Sequence, residues 1–266
     1  MDILPNIEIV DLALYFESIL VIADVHIGYE EALNKQGVLV PRLQFNDMVN
    51  RMNHIFTLLK EKPITTIVVN GDLKHEFGTI SEQEWRNTLK FLDLLAKNCK
   101  QIVLVKGNHD NILGPIARIR NVKVVDSFKV GSLTQKSNSE KNPFKKLKNI
   151  IKREEPIKKI LIAHGDKIQP KEVLNDVSTI IIGHEHPAVS LKEGARVEQF
   201  KCFLKGKFKG KNLIVQPSFN TMIEGTDVLR DKILSPFLKE NLDNFEVYAV
   251  EDKVYEFGKL KGLRKN

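Results

Sequence analysis

Hydrophobic positions along this chain fall into two rhythms. The first is a set of short, nearly unbroken apolar runs: Ile19-Leu20-Val21-Ile22-Ala23, Ile67-Val68-Val69, Ile102-Val103-Leu104-Val105, Ile160-Leu161-Ile162-Ala163 and Thr179-Ile180-Ile181-Ile182. Runs of this length without polar alternation predict strands buried on both faces. The second rhythm is helical. Leu43, Met48, Met52, Ile55, Phe56 and Leu59 recur at helical spacing up to about Glu61, with Pro63 as a stop. Ser81 followed by Glu84 is a capping-box signature, and it opens a helix through Trp85, Leu89, Leu92 and Leu95. A short helix over 112–119 and a strand over 122–125 follow the third apolar run.

Strand and helix alternate through the first half, which argues for a largely parallel sheet, preceded by strands at 7–10 and 12–16. After residue 187 the pattern changes. Residues 187–216 read as strands joined by turns such as Lys209-Gly210-Lys211, which suggests an antiparallel or mixed second sheet packed on the first. A closing hairpin is expected over 246–257, with a basic tail carrying Lys259, Lys261, Arg264 and Lys265. The one break in composition is residues 132–158. Ser, Asn and Gln give way there to Phe144, Leu147, Ile150 and Ile151 set among Lys145, Lys146, Lys148 and Lys152, which reads as a basic amphipathic insertion.

The 266 residues suffice for a full core and read most simply as one domain, 1–266, with that insertion and the terminal hairpin and tail as additions. No apolar run approaches the roughly 20 residues needed to span a bilayer, so no membrane role is expected. The start Met1-Asp2 shows no secretory signal pattern. Cys99 and Cys202 are too few for a disulfide framework or a Cys-based zinc site. A cytoplasmic location is the resulting expectation. The net charge of +7 favours polyanionic partners such as nucleic acid, although lysine-rich surfaces also serve solubility alone.

The candidate chemistry lies where the apolar runs stop. They end, in order, at Asp24-Val25-His26, Gly71-Asp72, Gly107-Asn108-His109-Asp110, His164 and Gly183-His184-Glu185-His186. Any one of these reads alone as a polar loop. Together they place five of the seven histidines just beyond strand ends, leaving only His54 and His75 elsewhere. Strand ends at one sheet edge form the crevice in which open α/β sheets bind ligands. Asp24, His26, Asp72, Asn108, His164, His184 and His186 then make a mixed oxygen and nitrogen donor set. It suits first-row divalent metals and lacks the thiolates of structural zinc. Seven donors are too many for one catalytic ion. They suit two ions sharing one carboxylate, the arrangement by which phosphatases and nucleases activate a water and clamp an in-line displacement.

These motifs, in this order over roughly residues 7–220, resemble the calcineurin-like metallophosphoesterase family. The resemblance implies a four-layer α/β sandwich of two mixed β-sheets flanked by helices, and a phosphoesterase working by a metal-activated hydroxide. It implies Asp24, His26, Asp72 and His186 on one metal, and Asp72, Asn108, His164 and His184 on the other, with Asp72 bridging. Two divalent ions are implied, Mn²⁺ foremost, with Fe, Zn, Ni or Mg also compatible. His109 is then a catalytic group that contacts a phosphate oxygen or protonates the leaving group, with Asp110 orienting and charging its imidazole. The wording around His26-Ile27-Gly28 and Gly71-Asp72-Leu73-Lys74-His75 is closest to the SbcD-related archaeal and ligase-associated phosphoesterases. His75 stands where many members carry a carboxylate, so a substrate or supporting contact and a plain structural role both stay open for it. Gln216-Pro217-Ser218-Phe219 replaces the commoner N-P-G-S turn, leaving Ser218 as either a substrate contact or part of a sheet-ending turn.

Lys and Phe alternate over Phe200–Lys211, which sends aromatics inward and a row of lysines outward. Lys205 and Lys207 are thereby candidates to follow a polynucleotide backbone. The expected substrate is nucleic acid, which makes the chain a small nuclease or phosphodiesterase. A phosphodiesterase or phosphatase for small or cyclic nucleotides is the alternative, and a non-catalytic scaffold on the same fold is a third reading that the complete donor set argues against. No nucleotide-binding Walker motif is present, so any ATPase or helicase partner is a separate chain. A homodimer is equally compatible with the sequence.

Overall fold

A computed structural model of the chain describes residues 1–76, 78, 80–110, 113–131, 159–193 and 196–264. The lysine-rich stretch 132–158 and Lys265 lie outside the described residues.

Strands β1 (Asp2–Leu4), β2 (Ile7–Val10), β3 (Ala13–Phe16) and β4 (Ile19–Ala23) form an antiparallel meander. The chain then adds β5 (Thr66–Asn70), β6 (Gln101–Val105) and β7 (Lys123–Val125), each parallel to the strand before it. This first sheet therefore runs β1 to β7 in chain order. The crossovers carry α1 (Tyr29–Lys35), α2 (Gln44–Leu58), α3 (Glu82–Ala96) and α4 (Gly114–Arg120). Met48, Met52 and Ile55 of α2 and Phe91, Leu92 and Leu95 of α3 bury the stripe that the helical spacing predicted, in one apolar cluster with the strands. Ser81 caps α3, its Oγ accepting from the Glu84 N–H. The Glu84 carboxylate does not complete a capping box. It turns away to accept from the backbone N–H groups of His75 and Glu76.

The second sheet holds β8 (Phe128–Val130), β9 (Lys159–Ile162), β10 (Val177–Ile182), β11 (Pro187–Glu193), β12 (Arg196–Phe208), β13 (Lys211–Val215), β14 (Thr226–Asp227), β15 (Glu246–Val250) and β16 (Val254–Lys259). The fourth and fifth apolar runs are β9 and β10, and with β13 they form a parallel trio at the centre of this sheet. Its residues alternate between two interiors, as strand geometry requires. Ile162, Ile181, Phe203 and Ile214 join the cluster of the first sheet. Their neighbours Leu161, Ile180, Ile182, Leu204 and Leu213 face a second core. Among the described residues the cover on that side consists of α5 (Lys171–Leu174), a 3-10 turn at Pro236–Leu238, α6 (Leu260–Leu263) and connecting chain that buries Leu242 and Phe245.

Each sheet thus contains a block of parallel strands, β4-β5-β6-β7 in one and β9-β10-β13 in the other, and the carboxyl ends of β4 and β13 converge. The Phe219 N–H donates to the Ala23 carbonyl at 2.8 Å, and the Gln216 side-chain amide donates to Val21 across the sheets at 3.2 Å. The loops beyond these strand ends build the site.

Candidate metal centre and its flanking loops

Two groups of donors meet on one carboxylate. In the first, Asp24 Oδ1 lies 3.5 Å from His186 Nε2, and that nitrogen lies 3.4 Å from His26 Nε2. In the second, His164 Nε2 lies 3.0 Å from Asn108 Oδ1 and 3.1 Å from His184 Nδ1. Asp72 Oδ2 stands between them, 3.7 Å from His26 Nε2 and 3.4 Å from His164 Nε2. The structure therefore brings together all seven residues that the sequence nominated as ligands.

Such spacings fit divalent ions. Donors about 2.1 Å from one ion at tetrahedral or octahedral angles lie about 3.0–3.4 Å apart. One donor also lacks other satisfaction. Asp24 Oδ1 is buried with no hydrogen-bond partner, 3.5 Å from both His186 Nε2 and His164 Nδ1, a costly arrangement without a cation. Imidazole nitrogens at 3.1–3.4 Å face one another across both groups. In the metal-free protein a proton on His164 partly offsets this. Burial works against its charge, but Asp72 and Asp24 outweigh burial and lift it to about 9. His26 is pushed the other way, to about 3, by burial and then by His186. Burial raises the Asp72 and Asp24 carboxyls, yet the surrounding imidazoles hold both below their ordinary values.

The backbone is bent to make this convergence. Asp24, His26, Asp72, His184 and His186 all have φ between 43° and 66°, the left-handed region that costs a non-glycine residue roughly 1–2 kcal/mol. Strain of this kind gathers at functional sites. Gly71, Gly107 and Gly183 permit the close approach, the last beside Asp24 Oδ2. A Cβ at Gly107 would sit 2.0 Å from Asp72 Oδ1, and one at Gly71 (φ +82°) would sit 1.9 Å from His164 Nδ1. Gly107 is therefore a spatial allowance for Asp72.

His109 lies beside these donors, its Nε2 4.0 Å from Asp72 Oδ2. Its Nδ1 meets the His75 carbonyl at 2.5 Å. A carbonyl only accepts, so Nδ1 carries the hydrogen. This corrects the role expected of Asp110. The Asp110 carboxylate is buried and accepts from the Gly107 N–H at 3.0 Å and the Leu73 N–H at 3.1 Å, joining the loops after β5 and β6. Burial, and then Asp72, push it up to about 6. His75 stacks on His109 with centroids 5.2 Å apart, and its Nδ1 is 3.4 Å from His26 Nδ1. His26, His75 and His109 thus form a third histidine group, but His109 Nδ1 is committed to a carbonyl and His26 Nε2 to the Asp24 group. Burial lowers His75 to about 4, which keeps it neutral at pH 7.

Three other candidates fare differently. Ser218 is fully buried; its hydroxyl donates to the Asp24 carbonyl at 2.7 Å and accepts from the Asn220 N–H, so it shapes the ligand loop and is closed to substrate. Lys205 pairs with Glu246 at 2.5 Å and donates to the Tyr248 hydroxyl at 3.1 Å. Lys207 donates to Asn212 at 2.6 Å. In the β12–β13 register Lys205 and Lys207 lie opposite Ile214 and Asn212, running away from the Val215 end that reaches the site. The lysine of this strand that reaches the site loops is Lys201. It is half-buried as a residue, and its Nζ donates to the Ser218 and Asn220 carbonyls at 2.9 and 2.7 Å. Burial, and then Arg51, lower it to about 7. Lys74, Glu84 and Lys201 escaped sequence reasoning, since a lysine inside a polar loop or strand gives no sign of burial. His54 is exposed on α2, away from the strand ends.

No described helix is long and apolar enough to cross a membrane. The family model for calcineurin-like phosphoesterases matches residues 17–241. No curated protein matches the chain by sequence. Among solved structures, the nuclease MPE of Pseudomonas putida is similar at a TM-score of 0.56 and 17% identity, covering 94% of this chain and 93% of that one. A protein of unknown function from Aquifex aeolicus, AQ665, gives a TM-score of 0.35 at 18% identity, over 63% of this chain and 78% of that one. YfcE, a phosphoesterase from E. coli, gives 0.35 at 12% identity over 86% of each chain. The first of these supports the fold.

Proposed function

The chain belongs to the calcineurin-like phosphoesterase family, hydrolases of phosphoester bonds, and we propose that it is a two-metal phosphodiesterase acting on nucleic acid. The observation that carries this reading is the placement of Asp72 Oδ2 between two donor groups, 3.7 Å from His26 and 3.4 Å from His164. Asp24, His26, Asp72 and His186 would hold one divalent ion, and Asp72, Asn108, His164 and His184 the other, Mn²⁺ foremost. Bound there, such ions supply Lewis-acid charge to the phosphoryl oxygens and lower the pKa of the attacking water.

The chain's own groups do the rest. His109 is fixed through Nδ1 and turns Nε2 toward the region between the donor groups and solvent. When the phosphorus–oxygen bond breaks, its electron pair stays with the leaving oxygen, which takes the Nε2 proton of the doubly protonated His109 ring and leaves the Nδ1–H imidazole behind. Asp110 keeps the His109 loop in register with Asp72. Phe219 and Ser218 hold the Asp24 loop from the second sheet.

The nucleic-acid part of the reading is supported by the net charge of +7 and by the likeness to a protein described as a nuclease. The lysine row no longer supports it, because Lys205 and Lys207 are engaged away from the site. The test is an assay with Mn²⁺ on single-stranded DNA, single-stranded RNA, cyclic nucleotides and bis-p-nitrophenyl phosphate, with His109→Ala as control. Cleavage of oligonucleotides, lost in the control, is the expected result. Turnover of the model diester or cyclic nucleotides with intact oligonucleotides would contradict it.

A further inference from the structure

The loop after β5 carries a charge that the proposed reaction does not use. Lys74 is fully buried, two residues beyond Asp72, where its backbone bridges to Ile27 beside the Asp24 loop. Burying an ammonium is costly unless hydrogen bonds replace its water. Among the described residues Lys74 has no ion-pair partner. Its Nζ donates instead to two backbone carbonyls on different loops, that of Glu76 and that of His109, the latter at 2.7 Å.

The same loop is gripped from its other side. Glu84, buried at the first turn of α3, accepts from the N–H groups of His75 at 2.9 Å and Glu76 at 3.0 Å. Residues 75 and 76 are therefore held by a buried cation on a carbonyl and a buried anion on two N–H groups. The carbonyl of His75, between those contacts, is the one that receives His109 Nδ1. Lys74 thus touches both parts of one arrangement: the main chain of His109, and the loop that supplies the acceptor for its ring.

We propose that Lys74 is a positioning residue that keeps His109 Nδ1–H on the His75 carbonyl, so that Nε2, which carries the transferable proton when the ring is an imidazolium, faces the substrate. This rests on the reading of His109 as the group that protonates the leaving oxygen. A lysine suits the task because a long stem with three donors reaches two carbonyls on separate loops. An apolar residue of the same size would fill the space and leave both carbonyls bare. Glu84 braces the same loop and has one carboxylate oxygen, Oε2, without a hydrogen-bond partner.

The test compares Lys74→Met with the full-length Mn²⁺-loaded wild type on aryl esters of thymidine 5′-phosphate, from p-nitrophenyl to phenyl. A p-nitrophenolate leaves without a proton, whereas poorer leaving groups need one. Proton donation contributes about 10²–10⁴-fold, so a misplaced His109 is expected to lower kcat on the phenyl ester by roughly 10–100-fold. The p-nitrophenyl ester should lose less than about threefold on the same argument, with KM and the number of bound Mn²⁺ ions unchanged. A merely structural lysine would lower all esters by one factor, and that result, or an unchanged series, would overturn the proposal. Lys74→Gln, whose amide keeps two N–H donors on a shorter stem, is run alongside in case the methionine variant does not fold. ¹⁵N NMR of the His109 ring reads the tautomer in either variant, and a ring still wholly Nδ1–H would also overturn the proposal. A wild type silent on every ester would sink the phosphodiesterase reading itself, and this one with it.

Discussion

Around Asp24, Asp72, His164 and His186, donor atoms crowd together, Asp24 Oδ1 has no hydrogen-bond partner, and the backbone at Asp24, Asp72 and His186 is forced into the left-handed region. A few ångströms away, the loops at 73–76 and 107–110 are tied by Asp110, Glu84 and Lys74 through hydrogen bonds to Leu73, Gly107, His75, Glu76 and His109. The first region is incomplete as protein alone, and cations would complete it. The second is finished before any ligand arrives. The contrast separates two tasks on one sheet edge. Ion binding tolerates strain because the ion repays it, while a proton donor must already point the right way.

The comparison breaks most readily at the incomplete side. Asp72→Asn removes the shared charge and is expected to lower activity by more than about 10²-fold, beyond the loss typical of residues that only support metal ligands. Chelation should also destabilise the wild type. A ligand at a hundredfold excess over Kd contributes about 2.7 kcal/mol, so removing it should lower Tm by roughly 5–10 °C. An unchanged Tm by calorimetry would show that the crowded donors need no ion.

On the finished side the effects are smaller. Asp110→Asn keeps an acceptor oxygen but loosens one of two backbone contacts, and an activity loss of about 10-fold is expected, at the low end for supporting residues. A loss equal to that of His109→Ala would return Asp110 to a direct catalytic role.

Lys201 gives a pH signature. Its folded value of about 7 lies below that of an unfolded lysine, so the folded chain binds fewer protons than the unfolded one between about pH 7 and 10.4. Stability of the wild type relative to Lys201→Met should therefore rise with pH across that window. Urea melts at pH 7 and pH 9.5 measure it, and a constant difference would mean the amine keeps its proton in the fold.

Lys205→Ala with Lys207→Ala should change oligonucleotide cleavage by less than about twofold, because partly exposed ion pairs contribute only ~0–1 kcal/mol. A large rise in KM would restore these lysines to the substrate path.

Much of this was legible in the sequence because burial on both faces leaves a plain record. The apolar runs ending at Asp24, Asp72, Gly107, His164 and Gly183 announced the parallel strands, and histidines at their ends announced the donor set. What escaped is what a linear pattern does not encode. Glu84 reads as half of a capping box from spacing alone; only the approach of the β5 loop to α3 shows the competing N–H groups of His75 and Glu76. The alternation of Lys and Phe along β12 fixes which face a lysine takes, but not which end of the strand meets the site. So Lys205 and Lys207 looked functional, while Lys201, four residues earlier, supports the turn beside Asp24. Asp110 next to His109 suggested an ion pair, yet two backbone N–H groups lay closer to hand.

The central claim is that one carboxylate, Asp72, joins two cation sites. Electron paramagnetic resonance of protein titrated with Mn²⁺ addresses it most directly, because paired ions roughly 3.5–4 Å apart are magnetically coupled. The account predicts two Mn²⁺ per chain with the spectrum of a coupled pair, collapsing to isolated-ion signals in Asp72→Asn. Saturation at one ion per chain, or two uncoupled ions in the wild type, would contradict it.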